Sequence, residues 1–149
     1  MNEINEDNLI KTGLTNKLTV DGITKAYDVY KIKLNELYYN DQNDRIATWI
    51  SKYKAENELE NFDLNDIEYY NDIIHEFIKK SDEKAFKKTK NNIKALEQTE
   101  PAIILKDGRI IDGNRRFTCL RELSKENPKF NYIEAMILYL IHISEPTRP

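Results

Sequence analysis

The sequence predicts a small α+β domain, and three observations carry that prediction. Tyr30, Ile32 and Leu34 alternate with Lys31 and Lys33, the period of a half-buried strand. Between residues 44 and 96, apolar residues recur three and four apart, the period of amphipathic helices. Asp107-Gly108 sits between Ala102-Ile103-Ile104-Leu105 and Arg109-Ile110-Ile111, and a further helical pattern follows. The expected architecture is a small mixed sheet with helices packed on it. Its order is strand, three helices, hairpin, helix, strand.

Residues 1–20 are polar and irregular and read as a flexible arm, so the domain is expected over 21–141. The first strand runs from Tyr27 to Leu37. Asp44 can cap a helix in which Ile46, Trp49, Ile50 and Tyr53 share a face. Asn65, with Glu68 three residues later, resembles a capping box, and Ile67, Tyr70, Ile74, Phe77 and Ile78 form the stripe behind it. Ser81 can cap a third helix that carries Phe86, Thr89, Ile93 and Leu96. Asp-Gly between apolar runs is the pattern of a tight hairpin whose turn needs positive φ. Asp112-Gly113-Asn114 then stops the second strand, and Phe117, Leu120 and Leu123 recur at helical spacing up to Asn127-Pro128. A last strand runs from about Tyr132 to Leu140.

At 149 residues, with 40% hydrophobic and one-third charged residues, the chain has the composition of one soluble globular domain. The first eight residues are polar and acidic, without the apolar segment of a signal peptide. The longest apolar run, residues 135–141, is far too short to cross a bilayer. A lone cysteine forms no internal disulfide, and with no export signal it points to the cytoplasm. Cys119 lies beside an apolar helix face and reads as a packed residue. His75 and His142 are distant in sequence and Cys119 has no neighbour at ligand spacing, so no metal site is expected. His75, among Ile73, Ile74 and Phe77, reads as a partly buried structural residue. No phosphate loop of the Gly-x-x-x-x-Gly-Lys type occurs, nor a Gly-x-Gly-x-x-Gly turn.

The net charge of −3 hides a segregation. Residues 55–78 hold eight acids and no lysine or arginine, whereas residues 79–94 hold seven lysines against Asp82 and Glu83. A lysine-rich helix is often simply solvated. Lys84, Lys87 and Lys88 are nevertheless the best candidates for a face that neutralises nucleic-acid phosphates.

The most informative stretch is 107–123. Arg115 and Arg116 fall in the first turn of the helix after Gly113, where exposed N–H groups and the helix dipole already make the end positive. An anion relieves that conflict: free backbone N–H groups, a glycine that lets a ligand approach and two guanidiniums make a phosphate site. Two solvated arginines after an ordinary turn are the simpler alternative. Asp112, just before the glycine, either caps an N–H of Asn114 or Arg115 or approaches a Mg²⁺ ion on the phosphates.

Gly113-Asn114-Arg115-Arg116 resembles the Gly-x-Arg-Arg box of the ParB/sulfiredoxin-like superfamily. Upstream, Asn40-Asp41-Gln42-Asn43-Asp44-Arg45 is similar to the family's Asn-Pro-x-Gln-Pro-Arg stretch at Asn40 and Arg45, without its prolines. Pro101 matches the proline of the family's Gly-x-x-Gln-Pro lead-in. The resemblance covers roughly residues 25–140 and is strongest at 107–123. It implies a ParB/sulfiredoxin-like fold in which Gly113, Asn114, Arg115 and Arg116 hold the phosphates of CTP or ATP with Mg²⁺, closed by Asn40 and Arg45. It also implies the N-terminal module of a bacterial, plasmid or phage protein of the partition or regulation type, with nucleotide and DNA as partners and an oligomer compatible with it.

Within that resemblance, residues 55–98 look like a helical insertion that covers the nucleotide or binds a partner. Sulfiredoxins carry a catalytic cysteine where this chain has Asn114, which excludes sulfinic-acid reduction. Partition proteins carry glutamate there. Asparagine keeps hydrogen bonding but supplies no carboxylate base, so nucleotide binding is favoured over hydrolysis. Two alternatives stay open: a non-catalytic DNA- or protein-binding module that has lost the nucleotide, and a nuclease or phosphotransferase in which Asp112 or the acids of 56–66 serve catalysis. The tail Ile143–Pro149 breaks off an apolar strand and differs in composition from the body. Residues 142–149 therefore read as non-native, similar to translated adaptor sequence, with the natural protein continuing.

Overall fold

The computed structural model describes residues 3–139. The expected tail and His142 lie outside the described residues. Five strands form one sheet: β1 (Ile10–Val20), β2 (Ile23–Lys33), β3 (Ala102–Leu105), β4 (Ile110–Asp112) and β5 (Tyr132–Leu138). Their spatial order is β1-β2-β5-β3-β4, antiparallel throughout except for β3 beside β5. Four helices pack on the sheet: α1 (Ala47–Glu56), α2 (Ile67–Ser81), α3 (Glu83–Leu96) and α4 (Asn114–Glu126). The molecule is thus α+β with a mixed sheet.

The core follows from strand alternation meeting helix stripes. Ile32 of β2, the alternate residues Ala102 and Ile104 of β3, and Ile133, Ala135 and Ile137 of β5 are buried in one core, and Met136 and Leu138 of β5 are buried as well. Against them lie Phe117, Leu120 and Leu123 of α4, Ile74 and Ile78 of α2, and Phe86 and Ile93 of α3. Tyr39 is fully buried: its ring meets Phe117 edge to face at 4.8 Å, and its hydroxyl lies 2.6 Å from that of Thr118. Because α2 and α3 supply core residues, the segment 55–98 is part of the packing.

Several sequence expectations are corrected. The N-terminal arm contains β1, and the expected domain boundary at residue 21 falls inside a hairpin turn. Asp21 and Gly22 both have positive φ, 53° and 77°, the two-residue turn whose twist suits paired strands. The first strand stops at Lys33, because Lys33 pairs with Tyr132, the first residue of β5, and among the described residues no strand lies beside the chain directly beyond it. Leu34 opens a 3₁₀ turn and gives its N–H to Asn131 O at 3.0 Å. Helix entries shift by one residue towards the better-placed side chain. Asn43 accepts from Arg45 N–H to start the 3₁₀ turn Asp44–Ile46 that leads into α1. Asp66 caps α2, and Asp82, with a full negative charge for the helix end, caps α3 in place of Ser81. Leu96 is 68% exposed at the last turn of α3, and Trp49 is also exposed although it lies beside Phe77.

Candidate functional site

The hairpin β3–β4 delivers the chain to Gly113, whose φ of 119° turns it into α4. A side chain there has no room. A Cβ on Gly113 would lie 2.8 Å from the Ala102 methyl and 3.3 Å from an Arg116 guanidinium nitrogen. Gly113 supplies no side-chain cap, and no acid occupies the first turn. The first intrahelical bond is Phe117 N–H to Gly113 O, at 2.9 Å. The N–H groups of Asn114, Arg115 and Arg116 therefore head the helix without an intrahelical acceptor.

A cleft of about 640 Å³ opens at this helix start. Its walls come from five places: Asn43 and Arg45 before α1, Ile78 and Ser81 at the end of α2, Thr89 and Asn92 on α3, the loop Glu97–Glu100, and the turn Ile111–Arg116. Arg45, distant in sequence from the adjacent Arg115 and Arg116, thus shares one cavity with them. Among the described residues neither Arg45 nor Arg115 has an ion-pair partner. Arg116 differs, at 18% side-chain exposure. It is held by Asp112 at 3.2 Å and Glu100 at 3.5 Å. The expected capping role of Asp112 is thereby corrected. Its carboxylate does not cap the helix, because Arg116 one turn along α4 takes it.

Asn40 is also placed differently from expectation. It does not line the cleft; its side chain accepts from Gln42 N–H, and its carbonyl oxygen receives the Asn114 amide at 3.2 Å. It therefore acts on the site through Asn114. The Asn114 Oδ1 is buried and has no hydrogen-bond partner among the described residues, an open acceptor at the helix start. Glu97, which ends α3 and borders the cleft, adopts φ 62°, ψ −166°, a conformation costly for any residue but glycine. Its neighbour Gln98 fixes the loop with three bonds of 2.7–2.8 Å, two to the Glu134 backbone and one to Glu100 O. Glu97 and Gln98 were not legible as site residues, since nothing in Leu96-Glu97-Gln98 marks a strained turn.

The acids of residues 56–66 do not border the cleft. Lys84, Lys87 and Lys88 are exposed on α3 outside it and have no ion-pair partner among the described residues. Other lysines of the same run have structural work: Lys79 and Lys90 hold Glu122 at 3.0 Å each, and Lys94 reaches Glu126.

Beside the site, α4 carries a charged network that sequence reasoning missed. Glu122 accepts from Lys79, Lys90 and His75 Nε2. Arg121 meets Asp72 at 2.8 Å, Asn71 O at 3.2 Å and His75 Nδ1 at 2.8 Å. Arginine only donates, so Nδ1 is the lone-pair nitrogen and the His75 proton sits on Nε2, directed at Glu122. Burial raises the Glu122 carboxyl, but the bonds from His75, Lys79 and Lys90 outweigh it and hold it at about 2. Burial lowers His75 from its usual value, with the Glu122 bond opposing.

Cys119 is fully buried, its Sγ 3.6 Å from Phe86 O, and burial pushes the thiol up to about 12. It is expected to be inert to a disulfide exchange reagent at pH 8 until denaturant is added, as a thiol titration will show. Prompt labelling of the folded protein would contradict this packing.

Compared with protein-family models, curated proteins and solved structures, the chain matches none. No helix among the described residues is long and apolar enough to cross a membrane.

Proposed function

We propose that the cleft at Gly113 binds the phosphates of a nucleotide, CTP or ATP accompanied by Mg²⁺. One observation carries the reading: Arg45 and Arg115, neither ion-paired among the described residues, reach the same cavity as the uncapped start of α4. In this reading the N–H groups of Asn114 and Arg115 cradle one phosphate, and Arg115 and Arg45 neutralise the others from two sides. Arg116 joins them in exchange for Asp112, whose carboxylate is then the protein's ligand for the accompanying cation. The buried Asn114 Oδ1 accepts from a sugar hydroxyl or a water carried in with the ligand. The fold is read as ParB/sulfiredoxin-like, and the setting, a DNA-associated bacterial, plasmid or phage protein, rests on the resemblance of the Gly-Asn-Arg-Arg turn. Binding without hydrolysis is favoured, because Asn114 offers no carboxylate base.

Calorimetric titration of CTP, ATP and GTP with Mg²⁺ tests it. Saturable binding of one triphosphate is expected, weakened by about 1.5–3 kcal/mol in Arg115→Ala, the worth of a charged hydrogen bond. No heat with any of the three in folded wild-type protein would overturn the reading. A second reading, an interaction module that keeps the fold without nucleotide, is favoured by the prior engagement of Arg116 with Asp112 and Glu100. In that case Lys84, Lys87 and Lys88 are the first residues to test against DNA. A nuclease or phosphotransferase would depend on Asp112, the only one of its candidate acids that borders the cleft.

A further inference from the structure

The β1–β2 hairpin is longer than the sheet needs. Among the described residues only Tyr30–Lys33 of β2 pair with β5, and residues 13–28 form a ribbon whose strands pair with each other alone. Two strands by themselves are marginal in water. The ribbon is also amphipathic. The cross-strand pairs Asn16–Tyr27, Leu18–Lys25 and Val20–Ile23 put Leu18, Val20, Ile23 and Tyr27 on one face. The opposite face carries Thr15, Lys17, Thr19, Thr24 and Asp28, with the Thr19 and Thr24 hydroxyls 2.6 Å apart. On the apolar face Leu18, Val20 and Tyr27 are half-buried and Ile23 is 59% exposed. The free edge of β1 is unsuited to strand addition. It carries Lys11 and Lys17 and is broken between Lys11 and Thr15 by an irregularity at Gly13. The surface on offer is the face.

A complementary surface exists on the same chain. The eight acids of residues 55–78 are all exposed, and Leu59 and Tyr69, both exposed, lie among them, with Trp49 on α1. Residues 10–33 hold five lysines against Asp21 and Asp28. Among the described residues, six of the nine large apolar residues left exposed therefore fall on two surfaces: Ile10, Leu14 and Ile23 on the lysine-bearing hairpin, and Trp49, Leu59 and Tyr69 on or beside the acidic segment. We propose that the hairpin is a docking arm for a second copy of this chain. The apolar face of the ribbon seats on the acidic surface of residues 55–78 of the other molecule, with Lys25 facing carboxylates. Used reciprocally, the contact closes a two-fold dimer. Thr15–Val20 spans about 20 Å, enough to lie across two helices. The proposal is independent of the nucleotide reading.

Sedimentation of the full chain, from micromolar to about 1 mM, tests it over the range in which even a weak dissociation constant populates a dimer. Concentration-dependent association is expected, weakening as salt is raised. A ribbon variant, Ile23→Asp with Lys25→Glu, and a surface variant, Glu58→Lys with Glu60→Lys, should each weaken it at least about tenfold. These positions are exposed, so both variants should keep wild-type circular dichroism and melting temperature. The decisive arm mixes Lys25→Glu protein with the surface variant. Recovered association between them identifies the two surfaces as partners. A monomer at every concentration, or association that neither variant weakens, overturns the proposal.

Discussion

Gly113→Ala is expected to destabilise the protein by about 3 kcal/mol, combining a strained φ with overpacking. Its melting temperature should fall by about 10 °C, as judged from typical unfolding entropies for this size. The added methyl would meet Ala102, which is fully buried in β3 and cannot retreat, and would crowd the Arg116 guanidinium. The nearest control lies at the hairpin tip. Gly22 also has a positive φ, 77°, but a methyl there meets nothing within 4 Å. Gly22→Ala should therefore cost only the strain of the conformation, about 1 kcal/mol. Thermal melts of the two variants separate crowding from strain, and equal losses would mean that Ala102 does not limit the turn. Any nucleotide binding should disappear in Gly113→Ala even below its melting temperature, because relief of the contact moves the N–H groups at the head of α4.

Glu122→Gln is expected to remove most of the acid sensitivity of the fold. The wild-type carboxyl is held at about 2 against an ordinary 4.5, so the folded state releases this proton more readily than the unfolded chain. Its contribution is fully present above about pH 4.5 and is lost as pH falls towards 2. At pH 7 the glutamine variant should be less stable by about 1–2 kcal/mol, reduced from the full shift because Lys79 is partly solvated. The two stability curves should converge near pH 2. His75 adds a slope of the same sign at higher pH. Burial lowers its folded value, so its contribution is present above 6.5 and declines as pH falls below that. Urea titrations across pH 2–8 read both. Parallel curves for wild type and Glu122→Gln would show that Glu122 is not held ionised by its three donors.

What could be read from the sequence was local. The hairpin at Asp107-Gly108, the helix behind Gly113 and the strand after Pro128 each rest on neighbouring residues, and each stands within two residues of its expected bounds. The first hairpin was equally local and was missed. Leu18-Thr19-Val20-Asp21-Gly22-Ile23-Thr24 has the alternation and the Asp-Gly turn of a hairpin, but the polar residues around it masked the pattern. Helix starts were displaced where two capping residues adjoin, as at Asn65-Asp66 and Ser81-Asp82. The arginines of the cleft were legible through the turn they follow. Their shared cavity with Glu97 and Gln98 was not, because it depends on how α3 ends. The Glu122 network joins residues 46 and 47 apart, a distance over which no spacing rule speaks.

The middle position of β5 has a consequence for synthesis. The strand made last among the five must slot between two hairpins made long before it, pairing with β2 on one side and β3 on the other. Until Tyr132–Leu138 leaves the ribosome, the β1–β2 hairpin and the β3–β4 hairpin have no common neighbour, and Ile32 and Ile104 lack the strand that joins them. Helices α2 and α3 can form early from local contacts, but the sheet is assembled only after translation of the domain is complete. A nascent chain stalled before residue 132 should stay open to protease while one stalled well past residue 139 resists it.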